Sequence, residues 1–116
     1  LGCAAAIATI DEIIDKKLCK RSAEYGDIFL KKLQKVVANY KDKVVEARGK
    51  GLMIALEFPN DDIGYEVAKG LFAEGILVAG TLINARTIRI EPPLTIEMEH
   101  IDQVVSSLDK VLSELK

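Results

Sequence analysis

The chain has 116 residues, 49% of them hydrophobic and 29% charged, and this balance is typical of a single globular domain with its own core. A net charge of -2 and scattered lysines and arginines predict no nucleic acid and no anionic membrane as a partner. No apolar run reaches the roughly 18 residues that a membrane span needs, which argues against a transmembrane protein.

Residues that bind metals or form disulfides are few. Cys3 and Cys19 are too few and too far apart for a metal motif or a disulfide framework. Because unpaired thiols are usual in cytosolic proteins, we expect two free cysteines and a cytoplasmic location. His100 is the only histidine, which excludes a histidine-based metal cluster, and we expect it at an exposed position on a helix.

Helical periodicity dominates the first third of the chain. Residues 1–14 are rich in alanine and place isoleucines at helical spacing, and no capping residue precedes them, so we expect a helix whose true start lies outside this sequence. Gly26 in the second predicted helix indicates a tight crossing with another helix. That helix is predicted from residues that step by three or four along one face: Leu18, Ser22, Tyr25, Phe29, Leu33, Val36 and Tyr40.

The middle of the chain predicts two extended segments and a helix. Val44 and Val45 begin an extended piece, residues 49–51 form a turn or a bulge, and residues 52–58 are a nearly continuous apolar run of strand length. Asn60 and the two aspartates after it can cap a helix and place negative charge at its positive end. Gly75, which tolerates a left-handed conformation, ends that helix.

The last third predicts two short strands and a helix. Residues 76–79 and 87–90 are the strands, joined by a loop at residues 80–85. Pro92 and Pro93 end the second strand because neither can donate a hydrogen bond to a sheet. Thr95 can cap the final helix, whose apolar stripe comprises Ile101, Val104, Val105, Leu108, Leu112 and Leu115.

The resulting order is α-α-β-β-α-β-β-α. Such short and closely spaced strands indicate a small, mostly antiparallel sheet with helices packed on one face, an α+β (α/β) fold in a single domain at residues 1–116.

Arg89 is the main candidate for a binding residue. Strand alternation places Thr87, Arg89 and Glu91 on one side and Ile88 and Ile90 on the other. One interpretation is a solvent-facing arginine, paired across the strand. The other is a carboxylate clamp, since a guanidinium meets a carboxylate through two parallel hydrogen bonds, and the prolines would keep the strand end rigid.

Other candidates are weaker. The Gly-Lys-Gly turn at residues 49–51 lacks the spacing and the following Ser or Thr of a P-loop. Lys50 as a Schiff-base lysine would need a dry pocket that the sequence does not indicate. Residue by residue, the chain predicts a domain with no self-contained active site, and therefore no catalytic residue.

Three segments resemble the C-terminal domain of class-III pyridoxal-phosphate aminotransferases. LGCAAAIA (residues 1–8) resembles the alanine-rich helix that opens this domain, RGKGLM (48–53) matches an RGxGLM segment, and RIEPPLTI (89–96) matches RxxPPL. The resemblance covers essentially the whole chain. Residues 78–82 and 84–94 resemble the putrescine branch more than the acetylornithine or ornithine branch.

The resemblance implies the small domain of a fold-type I homodimer that uses pyridoxal phosphate to move an amino group from putrescine to 2-oxoglutarate. It also implies that Arg89 binds the carboxylate of 2-oxoglutarate or glutamate, because putrescine has none. The catalytic lysine and the cofactor contacts of the family would lie in a missing large domain. We therefore expect residues 1–116 alone to bind no cofactor and to be inactive.

Alternatives remain open. The chain is also compatible with an acetylornithine- or ornithine-type aminotransferase domain. A freestanding small-molecule-binding module of ferredoxin-like type and a purely structural dimerisation module share the pattern of helices on a sheet. The dimerisation module predicts an exposed apolar patch at residues 1–14.

Overall fold

The computed structural model describes residues 1–81 and 84–115. Within them the chain order of the elements is the predicted one. Helices α1 (Gly2–Asp15) and α2 (Leu18–Val37) precede strands β1 (Glu46–Lys50) and β2 (Met53–Glu57). Helix α3 (Asp61–Ala73), strands β3 (Ala79–Gly80) and β4 (Thr87–Ile90), and helix α4 (Met98–Glu114) follow.

The four strands form one antiparallel sheet in the order β1-β2-β4-β3, so β1 and β3 lie at its edges. Helix α2 packs on β1 and β2, α3 packs on β4, and α4 packs on α2 and α3. The α+β fold with helices on one face of the sheet is thus confirmed. The core lies between sheet and helices, and its fully buried side chains include Phe29, Leu33, Ile54, Leu56, Phe58, Leu71, Ile101 and Leu108.

Helix α1 differs from the other three because none of its residues is buried. Its isoleucines Ile7, Ile10 and Ile14 are all more than half exposed. In the described part of the chain, no helix combines the length and the apolar character that crossing a membrane would require.

Gly26 does not mark a helix crossing, and that prediction was wrong. A Cβ atom on Gly26 would lie 2.1 Å from the carbonyl oxygen of Gly51, in the turn between β1 and β2. Gly51 itself has φ +55°, a conformation that glycine adopts without strain. The two glycines therefore bring the backbone of α2 and the backbone of the turn into direct contact.

Helix α3 begins and ends as predicted. The Asn60 side chain accepts a hydrogen bond from the backbone N–H of Ile63 at 2.9 Å, and Asp61 and Asp62 occupy the first turn. Gly75 follows the helix with φ +80°. The buried stripe of the helix runs through Gly64, Val67 and Leu71, and Phe72 is exposed.

Several boundaries differ from the prediction. Strand β1 includes Gly49 and Lys50, which were predicted in the turn, so the turn begins at Gly51. Helix α2 ends at Val37, short of Tyr40. Strand β3 is Ala79–Gly80, later than the predicted residues 76–79, and the predicted loop at 80–85 includes residues 82 and 83, which lie outside the described residues. Thr95 does not cap α4, since Glu97 is its N-cap and no side chain makes the capping hydrogen bond.

Candidate functional site

One face of the sheet is packed against helices and the other is not. The covered face carries Ala47, Ile54, Leu56, Ile88 and Ile90, all buried. The opposite face, called the open face below, carries the alternate residues of the three longer strands and the residue after β4: Glu46, Arg48, Lys50, Met53, Ala55, Glu57, Thr87, Arg89 and Glu91. Charged groups dominate this face.

Arg89 lies on the open face with small neighbours on both sides. Its partners across the sheet are Ala55 in β2 and Ala79 in β3. Neither methyl group reaches the height of the guanidinium, so the sheet leaves this group accessible from solvent. The side chain of Arg89 is 45% exposed.

Two groups hold the Arg89 guanidinium. Its Nε lies 2.9 Å from Oε1 of Glu91, and its Nη2 donates a long hydrogen bond of 3.4 Å to the carbonyl oxygen of Gly80. Among the residues the structure describes, the hydrogen bonds and ion pairs of Arg89 leave Nη1 without a partner. The guanidinium therefore retains donor capacity for a further acceptor.

Arg48 is the second arginine of the open face, opposite Ala55 from the other side, so the two arginine Cα atoms are roughly 10 Å apart. Its Nη1 contacts Glu46 at 2.5 Å and Glu57 at 2.6 Å. The hydrogen bond to Glu57, reinforced by the one to Glu46, raises the pKa of Arg48 above its usual value. Two carboxylates thus neutralise Arg48, whereas a single carboxylate from the described part of the chain, that of Glu91, pairs with Arg89.

Arg89 faces solvent as one of the two sequence interpretations expected, but its partner is not across the strand. Glu91 is two residues along the same chain segment and therefore projects from the same face. The i, i+2 spacing was visible in the sequence, and it also predicts the pair formed by Glu46 and Arg48. Sequence reasoning missed the cluster around Arg48.

Thr87 lies on the predicted side of β4 but is buried. It shares the open face by register but is only 6% exposed. Its Oγ1 is buried, and no hydrogen-bond partner for it lies among residues 1–81 and 84–115.

A third arginine fixes the segment that follows the double proline. Nη2 of Arg21, from α2, donates to the carbonyl oxygen of Ile96 at 2.6 Å and lies 2.9 Å from the carboxylate of Glu97. Its guanidinium also stacks 4.3 Å from the ring centroid of Tyr25. Helix α2 thereby anchors the stretch between β4 and α4.

The Gly-Lys-Gly segment at residues 49–51 does not fit a phosphate group. Residues Gly49 and Lys50 pair with β2, the N–H of Leu52 donates to Oγ of Ser22 at 3.2 Å, and the Gly51 backbone packs against α2. Lys50 is exposed on an edge strand, which does not fit a Schiff-base lysine in a dry pocket.

The remaining candidates have ordinary surroundings. His100 is exposed on α4, as expected, and Cys3 and Cys19 are free and exposed. The part of the chain that the structure describes contains no cluster of His, Cys, Asp or Glu able to hold a metal ion.

Comparison with known proteins identifies the family of this chain. Residues 1–112 match the family model described as aminotransferase class-III. A putrescine aminotransferase from Pectobacterium atrosepticum is 47% identical over 115 residues, which is 99% of this chain and 25% of that protein. The chain therefore spans about a quarter of the length of this curated relative.

Solved structures agree in fold. An acetylornithine aminotransferase from Elizabethkingia anophelis superposes with a TM-score of 0.89 at 29% identity, covering 97% of this chain and 30% of that chain. An amine transaminase from an uncultivated Pseudomonas species gives a TM-score of 0.86 at 31% identity, covering 98% of this chain and 27% of that chain.

Proposed function

Since the chain belongs to the class-III aminotransferase family, we propose that it is the C-terminal domain of an enzyme that transfers an amino group from putrescine to 2-oxoglutarate. The observation that carries the proposal is the 47% identity to a putrescine aminotransferase along 99% of the chain. The identity to an acetylornithine aminotransferase is lower, at 29%. Acetylornithine is therefore the alternative amine donor.

Class-III aminotransferases use pyridoxal phosphate, which acts as an electron sink when bound. Neither Lys50 nor the Gly-Lys-Gly segment at residues 49–51 fits this cofactor, so we propose that a large domain elsewhere in the longer protein holds it. The exposed isoleucines of α1 favour packing against that domain. A homodimer in the cytoplasm is part of the same proposal.

The part that we assign to this chain is recognition of a carboxylate by Arg89. A guanidinium can offer two parallel N–H groups to one carboxylate, which fixes both charge and orientation. The small neighbours Ala55 and Ala79 leave space for the ligand above the sheet. Because putrescine has no carboxylate, this contact would serve 2-oxoglutarate and the glutamate formed from it.

The experiment is Arg89→Ala in the full-length enzyme. Loss of a charge-assisted hydrogen-bonded pair should raise the KM for 2-oxoglutarate roughly 10- to 100-fold. The KM for putrescine should change far less. Steady-state kinetics with each substrate varied in turn measures both values.

Arg48→Ala is the matched control, because it removes an arginine of the same sheet face whose partners are two carboxylates of the chain itself. It should leave both KM values near those of the wild type. Equal increases for putrescine and 2-oxoglutarate in Arg89→Ala would contradict the assigned role. Turnover of N-acetylornithine but not of putrescine by the wild type would contradict the proposed amine donor.

A further inference from the structure

We propose that Ala55 is a specificity-determining residue whose small side chain leaves the space in which the carbon chain of a short dicarboxylate lies beside Arg89. This inference rests on the function proposed above and deepens it, because it assigns the size limit for the amino acceptor to one residue of the sheet. The effect is steric, since a larger apolar side chain at this position would fill the space without changing any charge.

Ala55 is the small residue in the middle of the open face. Along β2 its neighbours on this face are Met53 and Glu57. Across the sheet its partners are Arg48 in β1 and Arg89 in β4. Side chains stand roughly perpendicular to a sheet, so four long side chains surround a single methyl group. The register therefore creates a depression whose floor is Ala55.

The partners of Arg48 draw its guanidinium to one side of this depression. Arg48 contacts Glu46 and Glu57, which face each other across β1 and β2. This cross-strand pair lies next to Ala55 on the side where β2 ends. The Arg48 side chain is thus held over the two carboxylates, and it does not fill the depression.

Arg89 is drawn the other way. Its Nε lies 2.9 Å from Oε1 of Glu91, which follows β4 beside the Met53 end of β2. Its Nη2 donates to the carbonyl oxygen of Gly80 at 3.4 Å, on the side of β4 away from β2. Both guanidinium groups are therefore held away from the space above Ala55, and this residue is half-buried, not fully covered.

A dicarboxylate fits this space better than a diamine does. The Nη1 of Arg89 has no partner among residues 1–81 and 84–115, and a carboxylate bound to it can direct its methylene groups over the methyl group of Ala55. Such a contact removes apolar surface from water. Putrescine carries a cationic amine at each end, and the guanidinium repels both, so the diamine gains no affinity from this space.

The test is a series of full-length enzymes with Ala55→Ser, Ala55→Val or Ala55→Leu. The serine variant is close to alanine in size and should keep the wild-type KM for 2-oxoglutarate. The valine variant, which suits a strand, should raise this KM about 3- to 10-fold, and the leucine variant about 10- to 100-fold. The kcat at saturating 2-oxoglutarate should stay near the wild-type value, because lost ground-state binding raises KM alone. The KM for putrescine should change far less.

Isothermal titration calorimetry with glutarate, a dicarboxylate that has no reactive carbonyl, measures the same loss of binding without an amine donor. The Kd for glutarate should rise by the same factors and in the same order of variants. Ala23→Leu is the matched control, because it makes the same chemical change at an exposed position of α2. It should leave both KM values and the Kd unchanged. Circular dichroism shows whether each variant is folded.

A folded Ala55→Val or Ala55→Leu enzyme that binds glutarate as tightly as the wild type would overturn the inference. Equal increases of the KM for putrescine and for 2-oxoglutarate would also overturn it. A wild-type enzyme that does not accept putrescine would overturn the proposed function instead. Because the calorimetric comparison does not depend on the amine donor, the two failures are distinguishable.

Discussion

Gly26 shows how a single missing side chain decides the packing of two elements. The carbonyl oxygen of Gly51 occupies the place where a Cβ atom of residue 26 would stand. Because this neighbour is backbone within a tight turn, it cannot move aside as the end of a flexible side chain would. The contact fixes the distance between α2 and the β1–β2 turn.

We expect Gly26→Ala to lower the free energy of unfolding by about 1–3 kcal/mol, the usual cost of overpacking. This loss would occur even though alanine favours helix over glycine by about 1 kcal/mol. Urea denaturation followed by circular dichroism measures the change. Gly2→Ala is the control, since nothing lies within 4 Å of a Cβ at that position.

Gly2→Ala should be as stable as the wild type or slightly more stable. A Gly26→Ala protein with wild-type stability would show that the turn can retreat from α2.

At the scale of elements, the two later helices begin in different ways. Helix α3 has a side-chain cap, the 2.9 Å hydrogen bond from the Ile63 N–H to Asn60. Helix α4 has none, because the N–H of Ile96 donates to the carbonyl oxygen of Pro93 in a preceding turn. This turn buries Ile96 and moves the start of the helix past Thr95.

Asn60→Ala should therefore destabilise the protein by about 1 kcal/mol, because one N–H group of the first turn of α3 loses its acceptor. Thermal and urea unfolding measure the effect. Thr95→Ala, at an exposed residue that does not cap, should change stability by less than about 0.5 kcal/mol. A larger loss in Thr95→Ala than in Asn60→Ala would contradict this account of the two helix starts.

The elements were predictable from sequence because their signals are local. Apolar spacing identified all four helices, and the prolines and glycines marked where helix α3 and strand β4 end. Contacts between distant residues were not predictable in this way. The approach of Gly26 to Gly51 and the anchoring of Ile96 by Arg21 depend on how the elements pack, which no local pattern encodes.

At the scale of the whole molecule, α1 makes the chain elongated. The principal extents are 48 × 26 × 22 Å, and the radius of gyration is 15.3 Å. A compact domain of this length would have a radius of gyration of about 13 Å. The helix without buried residues thus extends from a core that the remaining elements complete without it.

The 116-residue chain by itself should bind no pyridoxal phosphate stably, which remains a prediction. Neither Lys50 nor the Gly-Lys-Gly segment at residues 49–51 fits the cofactor. After incubation with pyridoxal phosphate and gel filtration, we expect no protein-associated absorbance in the visible range, whereas the full-length enzyme should retain it. A stable, stoichiometric absorbance that one lysine substitution removes would contradict the prediction.

The position of β1 at the edge of the sheet has a consequence for solubility. An edge strand exposes unpaired backbone groups, on which another chain can add a strand and start aggregation. Here Glu46, Arg48 and Lys50 project from the open face of that strand, and a second copy pairing with the edge would have to place its own side chains beside these charges. The same residues that order the open face thus protect the chain from unwanted self-pairing.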